Sequence, residues 1–112
     1  MSLFQKIIDK EINADIVYED DLCLAFRDIQ PQAPTHILMI PKKPIESLGT
    51  VSDEDQQLLG HMLLKISHIA EKQGLAEAGY RVVANTNQQG GQSVYHLHFH
   101  LLGGRQMQWP QG

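Results

Sequence analysis

Apolar residues recur along the chain at two spacings, one typical of helices and one typical of strands. Near the N-terminus, Phe4, Ile7 and Ile8 share one face of a short predicted helix, and Ser2 precedes this helix as an N-cap. Short runs of β-branched and apolar residues between turn residues predict five strands. These predicted strands are 15–18, 22–27, 35–40, 80–84 and 94–102.

The connections between these strands carry turn signals. Residues 19–21 have the composition of a hairpin turn, and the loop 28–34 contains two prolines that cannot donate sheet hydrogen bonds. Ser52 begins a long predicted helix and Gly74 ends it. Five strands with two separate helices predict one α+β domain over residues 1–112, with a mostly antiparallel sheet. The apolar stripe of the long helix consists of Leu58, Leu59, Met62, Leu63, Ile66, Ile69 and Ala70.

Composition narrows the class of protein. Of the 112 residues, 42% are hydrophobic and 20% are charged, as in a globular domain. The net charge of -4 argues against binding a nucleic-acid polymer, which requires many cationic side chains, but it allows binding of a single nucleotide. The lone Cys23 excludes an internal disulfide and a cysteine-rich zinc site. Since no apolar run resembles a membrane span or a signal peptide, we expect a cytoplasmic protein.

The six histidines fall into two groups. His61 and His68 lie seven residues apart on the long helix, beside Lys65 and Lys72 and off the apolar stripe, so we predict that they belong to a solvated face. By contrast, His96, His98 and His100 alternate with apolar residues on the last predicted strand. On a strand, alternate residues project from the same face, so we expect the three imidazoles to lie together.

Three interpretations of this histidine cluster compete. Buried structural imidazoles would need many hydrogen-bond partners. A zinc site accepts three histidines, but the motif and its flanks contain no Asp, Glu or Cys to balance the charge. Nucleophilic catalysis on phosphorus or an acyl carbon is the third interpretation. It is favoured by the glycine-rich segment 88–93 just before the histidines, which offers backbone N–H groups and a hydroxyl for a phosphate.

Two long segments resemble a known family. GGQSVYHLHFHLLGGRQMQWP is similar to the signature of the histidine triad (HIT) superfamily, and YEDDLCLAFRDIQPQAPTHILMIPKK is similar to its histidine triad nucleotide-binding (Hint) branch. The resemblance implies a HIT-like fold whose sheet extends across a homodimer. It also implies a hydrolase of purine nucleoside phosphoramidates (AMP–amine P–N bonds) and of some acyl-adenylates, with no metal or other cofactor. A nucleotide-binding or scaffolding module with incidental turnover remains the alternative.

The resemblance also implies residue roles. His98 corresponds to the nucleophile, His96 and His100 to its flanking partners, and His36 to a fourth histidine from a neighbouring strand. Ser93 corresponds to the hydroxyl near the leaving group. For the nucleotide, Asp28 corresponds to the acid that binds the ribose hydroxyls, and the other positions contact the phosphate or the base. The phosphate contacts are Asn85, Gly91 and Gln92, and the base pocket comprises Phe4, Ile7, Phe26, Ile29 and Leu38.

Overall fold

The computed structural model describes residues 2–112, and its elements follow the predicted order. The five strands form one sheet in the order β1-β2-β3-β5-β4, and each neighbouring pair is antiparallel. The predicted α+β class with a five-stranded antiparallel sheet is therefore confirmed. The elements are α1 (Leu3–Ile8), β1 (Ile16–Glu19), β2 (Cys23–Arg27), β3 (Thr35–Pro41), α2 (Gln56–Lys72), β4 (Tyr80–Val83) and β5 (Phe99–Gly103).

The sheet buries both of its faces because β2 and β3 are apolar at almost every position. Alternate residues of each strand point to opposite faces, which separates the core into two clusters. The α2 face includes Cys23, Ala25, Ile37, Met39, Phe99 and Leu101, packed against Met62, Ile66, Ile69, Ala70 and Leu75. The α1 face includes Leu24, Phe26, Leu38 and Ile40, packed against Phe4 and Ile7.

The register of β3 and β5 brings two of the histidines to the α1 face. His100 lies directly opposite Leu38, and His36 lies opposite Leu102. Residues paired in this way share one face of the sheet, and Leu38 belongs to the cluster around α1. The imidazoles therefore share the α1 face, while Phe99 and Leu101 pack beneath α2.

The last strand is shorter than predicted. β5 begins at Phe99 instead of residue 94, so His96 and His98 precede the strand and only His100 lies in it. The β3–β5 pairing starts at Met39 with Phe99, and beyond it β3 ends at Pro41, which has no N–H to donate. The N–H of Leu97 instead donates to the carbonyl of Ile45, at 2.7 Å, which turns the chain away from the sheet.

The long helix also differs from its prediction. Residues Asp53–Asp55 form a 3₁₀ turn after Ser52, and α2 proper starts at Gln56. Leu63, which was predicted in the apolar stripe, is 48% exposed. The predicted stop is confirmed, since Gly74 follows the helix with a φ of 76° that favours glycine.

The predicted solvated face of α2 is wrong at His61. Its Nε2 lies 2.6 Å from Oδ2 of Asp20, in the turn between β1 and β2, whereas His68 is exposed as predicted. The spacing along α2 gave no indication of this partner because Asp20 lies 41 residues earlier in the chain.

Within residues 2–112, no helix combines the length and the apolar character needed to cross a bilayer.

Candidate active site

A cleft of about 400 Å³ opens on the α1 face of the sheet. Helix α1 forms one wall, and the other walls include residues 12–14, the end of β2 with the following loop, the segment before β5, and side chains of β3 and β5. The cleft brings together many residues that were predicted for one site from distant parts of the sequence. These are Phe4, Ile7, Phe26, Asp28, Ile29, Leu38, Ser93, His98 and His100.

A larger cavity, of about 590 Å³, lies between β1 and α2. It is lined by Lys65, His68 and Lys72 among others, and it contains none of the four histidines that the sequence placed in the site. Volume alone would therefore select the wrong cavity, because the smaller cleft holds the clustered titratable side chains and the predicted nucleophile.

The inner end of the cleft is apolar. The rings of Phe4 and Phe26 meet edge to face with centroids 5.5 Å apart, and Ile7 and Leu38 are buried beside them. Ile29, in contrast, is 92% exposed at the rim. The face of a flat aromatic group such as a nucleobase can pack against these apolar side chains.

The hydrogen bond of His98 fixes its tautomer. Nδ1 lies 2.8 Å from the backbone carbonyl of His96, and since a carbonyl only accepts, Nδ1 carries the proton. The opposite nitrogen, Nε2, therefore has a free lone pair. Burial is the main cause that lowers the pKa of His98, so the ring is neutral near pH 7. A buried, neutral imidazole with one fixed proton is suited to nucleophilic attack.

His36 and His100 form a directed chain of hydrogen bonds. The backbone N–H of Gln32 donates to Nδ1 of His36 at 3.0 Å, so the proton of a neutral His36 is on Nε2. That Nε2 lies 2.9 Å from Nδ1 of His100, which must accept. His100 consequently carries its own proton on Nε2, and it can donate this proton to a phosphoryl oxygen.

Burial keeps both rings of this chain neutral. Desolvation lowers the pKa of His100 to about 4, with smaller contributions from the positive charges that His98 and His36 would carry if protonated. Desolvation also lowers the pKa of His36 and outweighs the opposite effect of Asp28. The 3.5 Å approach between Nε2 of His36 and Asp28 is therefore a contact with a neutral imidazole near pH 7, not an ion pair.

His96 supports the site from behind. Its Nε2 lies 2.8 Å from the carbonyl of Pro41 and so donates to it, which leaves Nδ1 as an acceptor. The hydroxyl of Ser2 lies 3.4 Å from that Nδ1 and also accepts from the N–H of Gln5 as the cap of α1. This arrangement ties the start of α1 to the histidine motif, and it gives His96 a positioning role.

Asp28 stands at the mouth of the cleft. Its N–H donates to the carbonyl of His36, and its Oδ1 accepts the N–H of Gln30 at 2.8 Å. These bonds hold the carboxylate in place but leave it capacity for further donors, since an ionised carboxylate has about four acceptor positions. A pair of vicinal hydroxyls is the kind of group that such an oriented carboxylate binds.

The loop before the histidine motif divides its predicted residues among three roles. Ser93 is exposed and lines the cleft, whereas Asn85 lines a third cavity, of about 260 Å³, which shares His100 with the cleft. Gly91 lies in this loop with a φ of 76°. Gln92 is buried, and its carboxamide binds the carbonyls of Glu46 and Val94 and the N–H of Asn87. The side chain of Gln92 thus braces the loop instead of lining the cleft.

One set of side chains in the site has the spacing of metal ligands. One ligand atom each from Asp28, His36 and His100 lies within 4.8 Å of the others. However, Nδ1 of His36 faces the N–H of Gln32, so a metal on Nε2 would require a His36 ring with no proton on either nitrogen. Because that imidazolate form is costly, the hydrogen-bond pattern fits the metal-free arrangement better.

Comparison with known proteins identifies the fold and the family. The sequence model of the HIT domain family matches residues 9–107 of this chain. The chain belongs to the HIT family. It is 63% identical over 111 residues to an uncharacterized HIT-like protein of Synechococcus elongatus, covering 99% of this chain and 96% of that relative.

Two further HIT relatives bear on the chemistry. The purine nucleoside phosphoramidase of Escherichia coli K12 is 59% identical over 104 residues, which cover 93% of this chain and 87% of the relative. The crystal structure of a HIT family hydrolase from Legionella pneumophila Philadelphia 1 superimposes with a TM-score of 0.98 at 55% identity over 100% of both chains. The resemblance read from the two sequence segments and the HIT-like fold are therefore confirmed.

Sequence reasoning missed several contributors to this HIT site. The sequence indicates Ser2 only as a helix cap, and it gives no sign that the backbone groups of Gln32 and Pro41 contact the histidine rings. Backbone donors and acceptors have no signature in the side-chain sequence. Ile12, Asn13 and Ala14 also line the cleft, although no periodic pattern marks that segment.

Proposed function

We propose that this HIT protein hydrolyses purine nucleoside phosphoramidates, breaking the P–N bond between AMP and an amine through a covalent intermediate on His98. The observation that carries the proposal is the free Nε2 lone pair of His98 in a cleft with an apolar end and a carboxylate at its mouth. The similarity to the E. coli phosphoramidase supports the same chemistry. Acyl-adenylates present the same α-phosphorus to His98 and are proposed as further substrates.

The reaction then has two displacements. Nε2 of His98 attacks the α-phosphorus, the N–P bond to His98 forms, and the P–N bond to the amine breaks. The leaving nitrogen takes a proton, for which we assign the Ser93 hydroxyl as donor. His100 stabilises the phosphoryl oxygens through its Nε2–H. Water then attacks the nucleotidyl-imidazole and passes a proton to the Ser93 oxygen, which releases AMP and restores both the neutral His98 and the Ser93 hydroxyl.

The nucleotide is proposed to lie along the cleft from the mouth to the apolar end. Phe4, Ile7, Phe26 and Leu38 contact the base, and Ile29 covers it from the rim. Asp28 accepts from the ribose hydroxyls, and a carboxylate in that position repels a misplaced phosphate. The backbone around Gly91 and the carboxamide of Asn85 are proposed as phosphate contacts.

Turnover of adenosine phosphoramidate tests this proposal directly. Protein purified without a histidine tag is expected to release AMP and ammonia, and to retain its rate after prolonged treatment with EDTA or phenanthroline, because imidazole provides the nucleophile. AMP binding without turnover would favour a nucleotide-binding module instead. Loss of activity that Zn²⁺ restores would contradict the metal-independent mechanism.

Replacing Asp28 by Asn tests the ribose assignment. Two acceptor bonds would lose a charged partner, and bonds to charged groups contribute about 1.5–3 kcal/mol each. We expect KM to rise at least about tenfold while kcat is nearly unchanged, measured by steady-state kinetics. The exposed Glu77, which does not line the cleft, provides the matched control Glu77→Gln. A fall in kcat at constant KM would place Asp28 in the chemical step instead.

We also propose that the protein is a homodimer whose sheet continues across the contact. Strand β4 is an edge of the sheet, and Tyr80 and Val82 on it are 39% and 38% exposed. Trp109, in the tail 105–110, is 81% exposed, and aromatic residues are favoured at interfaces. A two-fold contact would use these surfaces together with α2. Sedimentation at micromolar concentration is expected to give the dimer mass, and a monomer would contradict this.

A further inference from the structure

A second cluster of reactive side chains lies outside the catalytic cleft. Asp20, Cys23 and His61 each offer one ligand atom, and these atoms lie within 4.8 Å of one another. Sγ of Cys23 is 3.5 Å from Oδ1 of Asp20, and Nε2 of His61 is 2.6 Å from Oδ2 of the same carboxylate. None of these three side chains has a role in the proposed hydrolysis.

We propose that Asp20, Cys23 and His61 form a binding site for Zn²⁺, with a fourth position open to water. Zinc takes thiolate, imidazole and carboxylate ligands in tetrahedral geometry. Zn–S and Zn–O bonds of usual length place sulfur and oxygen about 3.6 Å apart in a tetrahedron. The 3.5 Å separation of Cys23 Sγ and Asp20 Oδ1 is close to that distance. Nε2 of His61 is hydrogen-bonded to Oδ2 of Asp20 at 2.6 Å, so the imidazole must move slightly away from the carboxylate to bind the metal.

The protons and charges balance at this site. On binding, the metal displaces the proton of the buried Cys23 thiol, which passes to solvent, and binds the thiolate. No other side chain or backbone group bonds to Nδ1 of His61 within residues 2–112, so the ring can carry its proton there and present Nε2 to the metal. Thiolate and carboxylate together carry two negative charges, which neutralise Zn²⁺.

The Asp20 cluster differs from the set formed by Asp28, His36 and His100 in the proton of its histidine and in its ligand types. His36 cannot move its proton to Nδ1, because a backbone N–H already donates to that atom. His61 can. The catalytic set also lacks a thiolate, the ligand for which zinc competes best against oxygen-preferring cations. The two clusters have a similar spacing, but only the Asp20 cluster fits zinc.

The surroundings of the cluster orient its ligands and admit a cation. The hydroxyl of Tyr18 donates to Oδ2 of Asp20 at 2.6 Å, and the N–H groups of Leu22 and Cys23 donate to Oδ1. Hydrogen bonds of this kind hold metal-binding carboxylates in place. Cys23 is fully buried, whereas the side chains of His61 and Asp20 are 27% and 24% exposed, so the cluster opens to solvent on one side.

The site lies on the opposite face of the sheet from the cleft. Cys23 packs in the core beneath α2, while its neighbour Leu24 packs with the α1 cluster. A metal at this site would join the β1–β2 turn to α2 without contacting His98 or His100. We therefore expect zinc binding to raise the stability of the fold and to leave the catalytic histidines free.

Titration with Co²⁺ alone tests the site, because Cys23 is the only cysteine in the sequence. Untagged, reduced protein is expected to develop a thiolate-to-cobalt charge-transfer band in the near ultraviolet that saturates at one Co²⁺ per chain and disappears on adding Zn²⁺. Cys23→Ser should lack the band. His61→Gln should weaken Co²⁺ binding at least tenfold, whereas His68→Gln, on the exposed side of the same helix, should not change it.

A second measurement covers the case in which the buried Cys23→Ser variant does not fold. Zn²⁺ is expected to raise the melting temperature of the native protein and of His68→Gln, but not of His61→Gln. Absence of the charge-transfer band in native protein, or a band of equal affinity in His61→Gln, would overturn the proposal. A band without any rise in melting temperature would overturn the link between the turn and α2.

Discussion

Replacing His98 by Gly is expected to abolish turnover of adenosine phosphoramidate, by roughly a thousandfold or more, while nucleotide binding is retained. The imidazole forms the bond to phosphorus, and removal of a nucleophile usually costs a large part of the catalytic advantage. The base and ribose contacts involve Asp28 and the apolar wall, and the substitution leaves these side chains in place. It removes only the edge-to-face contact of the His98 ring with Phe4, whose centroids are 5.0 Å apart. AMP affinity measured by calorimetry serves as the control for an intact cleft.

The flanking histidines should behave differently. His100→Ala and His96→Ala are expected to leave a residual rate, since His100 donates to phosphoryl oxygens and His96 holds the backbone behind His98. Rapid-quench mass spectrometry with a good leaving group should show a gain of one nucleoside monophosphate on the peptide that contains His98. An adduct on His96 or His100, or comparable turnover by the His98 variant, would refute the assignment of the nucleophile.

The strands and helices were predictable because their signals are local. The apolar runs of β2 and β3 and the helical stripe of α2 each depend on neighbouring residues in the sequence. The start of β5 was not predictable in this way. The alternation from Tyr95 to Leu101 fits a strand, but strand pairing needs a partner, and β3 has no N–H at Pro41 to offer.

The candidate site was predictable mainly through the family resemblance. The pattern of three alternate histidines indicated a cluster, but it could not show which nitrogen of each ring carries a proton. That property depends on Gln32, His96 and Pro41, whose backbone groups contact the rings. The pairing of His61 with Asp20 was missed for the same reason, since the partner is distant in sequence.

The same burial that keeps the catalytic histidines neutral should make the fold sensitive to acid. The pKa values of His36, His98 and His100 are lowered chiefly by desolvation, that of His100 to about 4. In the unfolded chain a histidine takes up its proton near pH 6.5. Between pH 6.5 and about 4 the unfolded state therefore binds more protons than the folded state, so stability is full above pH 6.5 and is lost as the pH falls through this window.

The contribution of His100 can be isolated by comparing slopes. One proton of difference corresponds to about 1.4 kcal/mol of unfolding free energy per pH unit, and the shift of His100 corresponds to about 3 kcal/mol in all. As the pH falls from 6 to 4.5, we expect the unfolding free energy of native protein to fall more steeply than that of His100→Gln. The two slopes should differ by about 1.4 kcal/mol per pH unit, the value for one proton. Urea denaturation at fixed protein concentration measures both slopes, and the carboxylates that titrate in this range are common to the two proteins. Equal slopes would mean that His100 has its ordinary pKa in the folded state. That result would also remove the neutral His36–His100 chain from the mechanism.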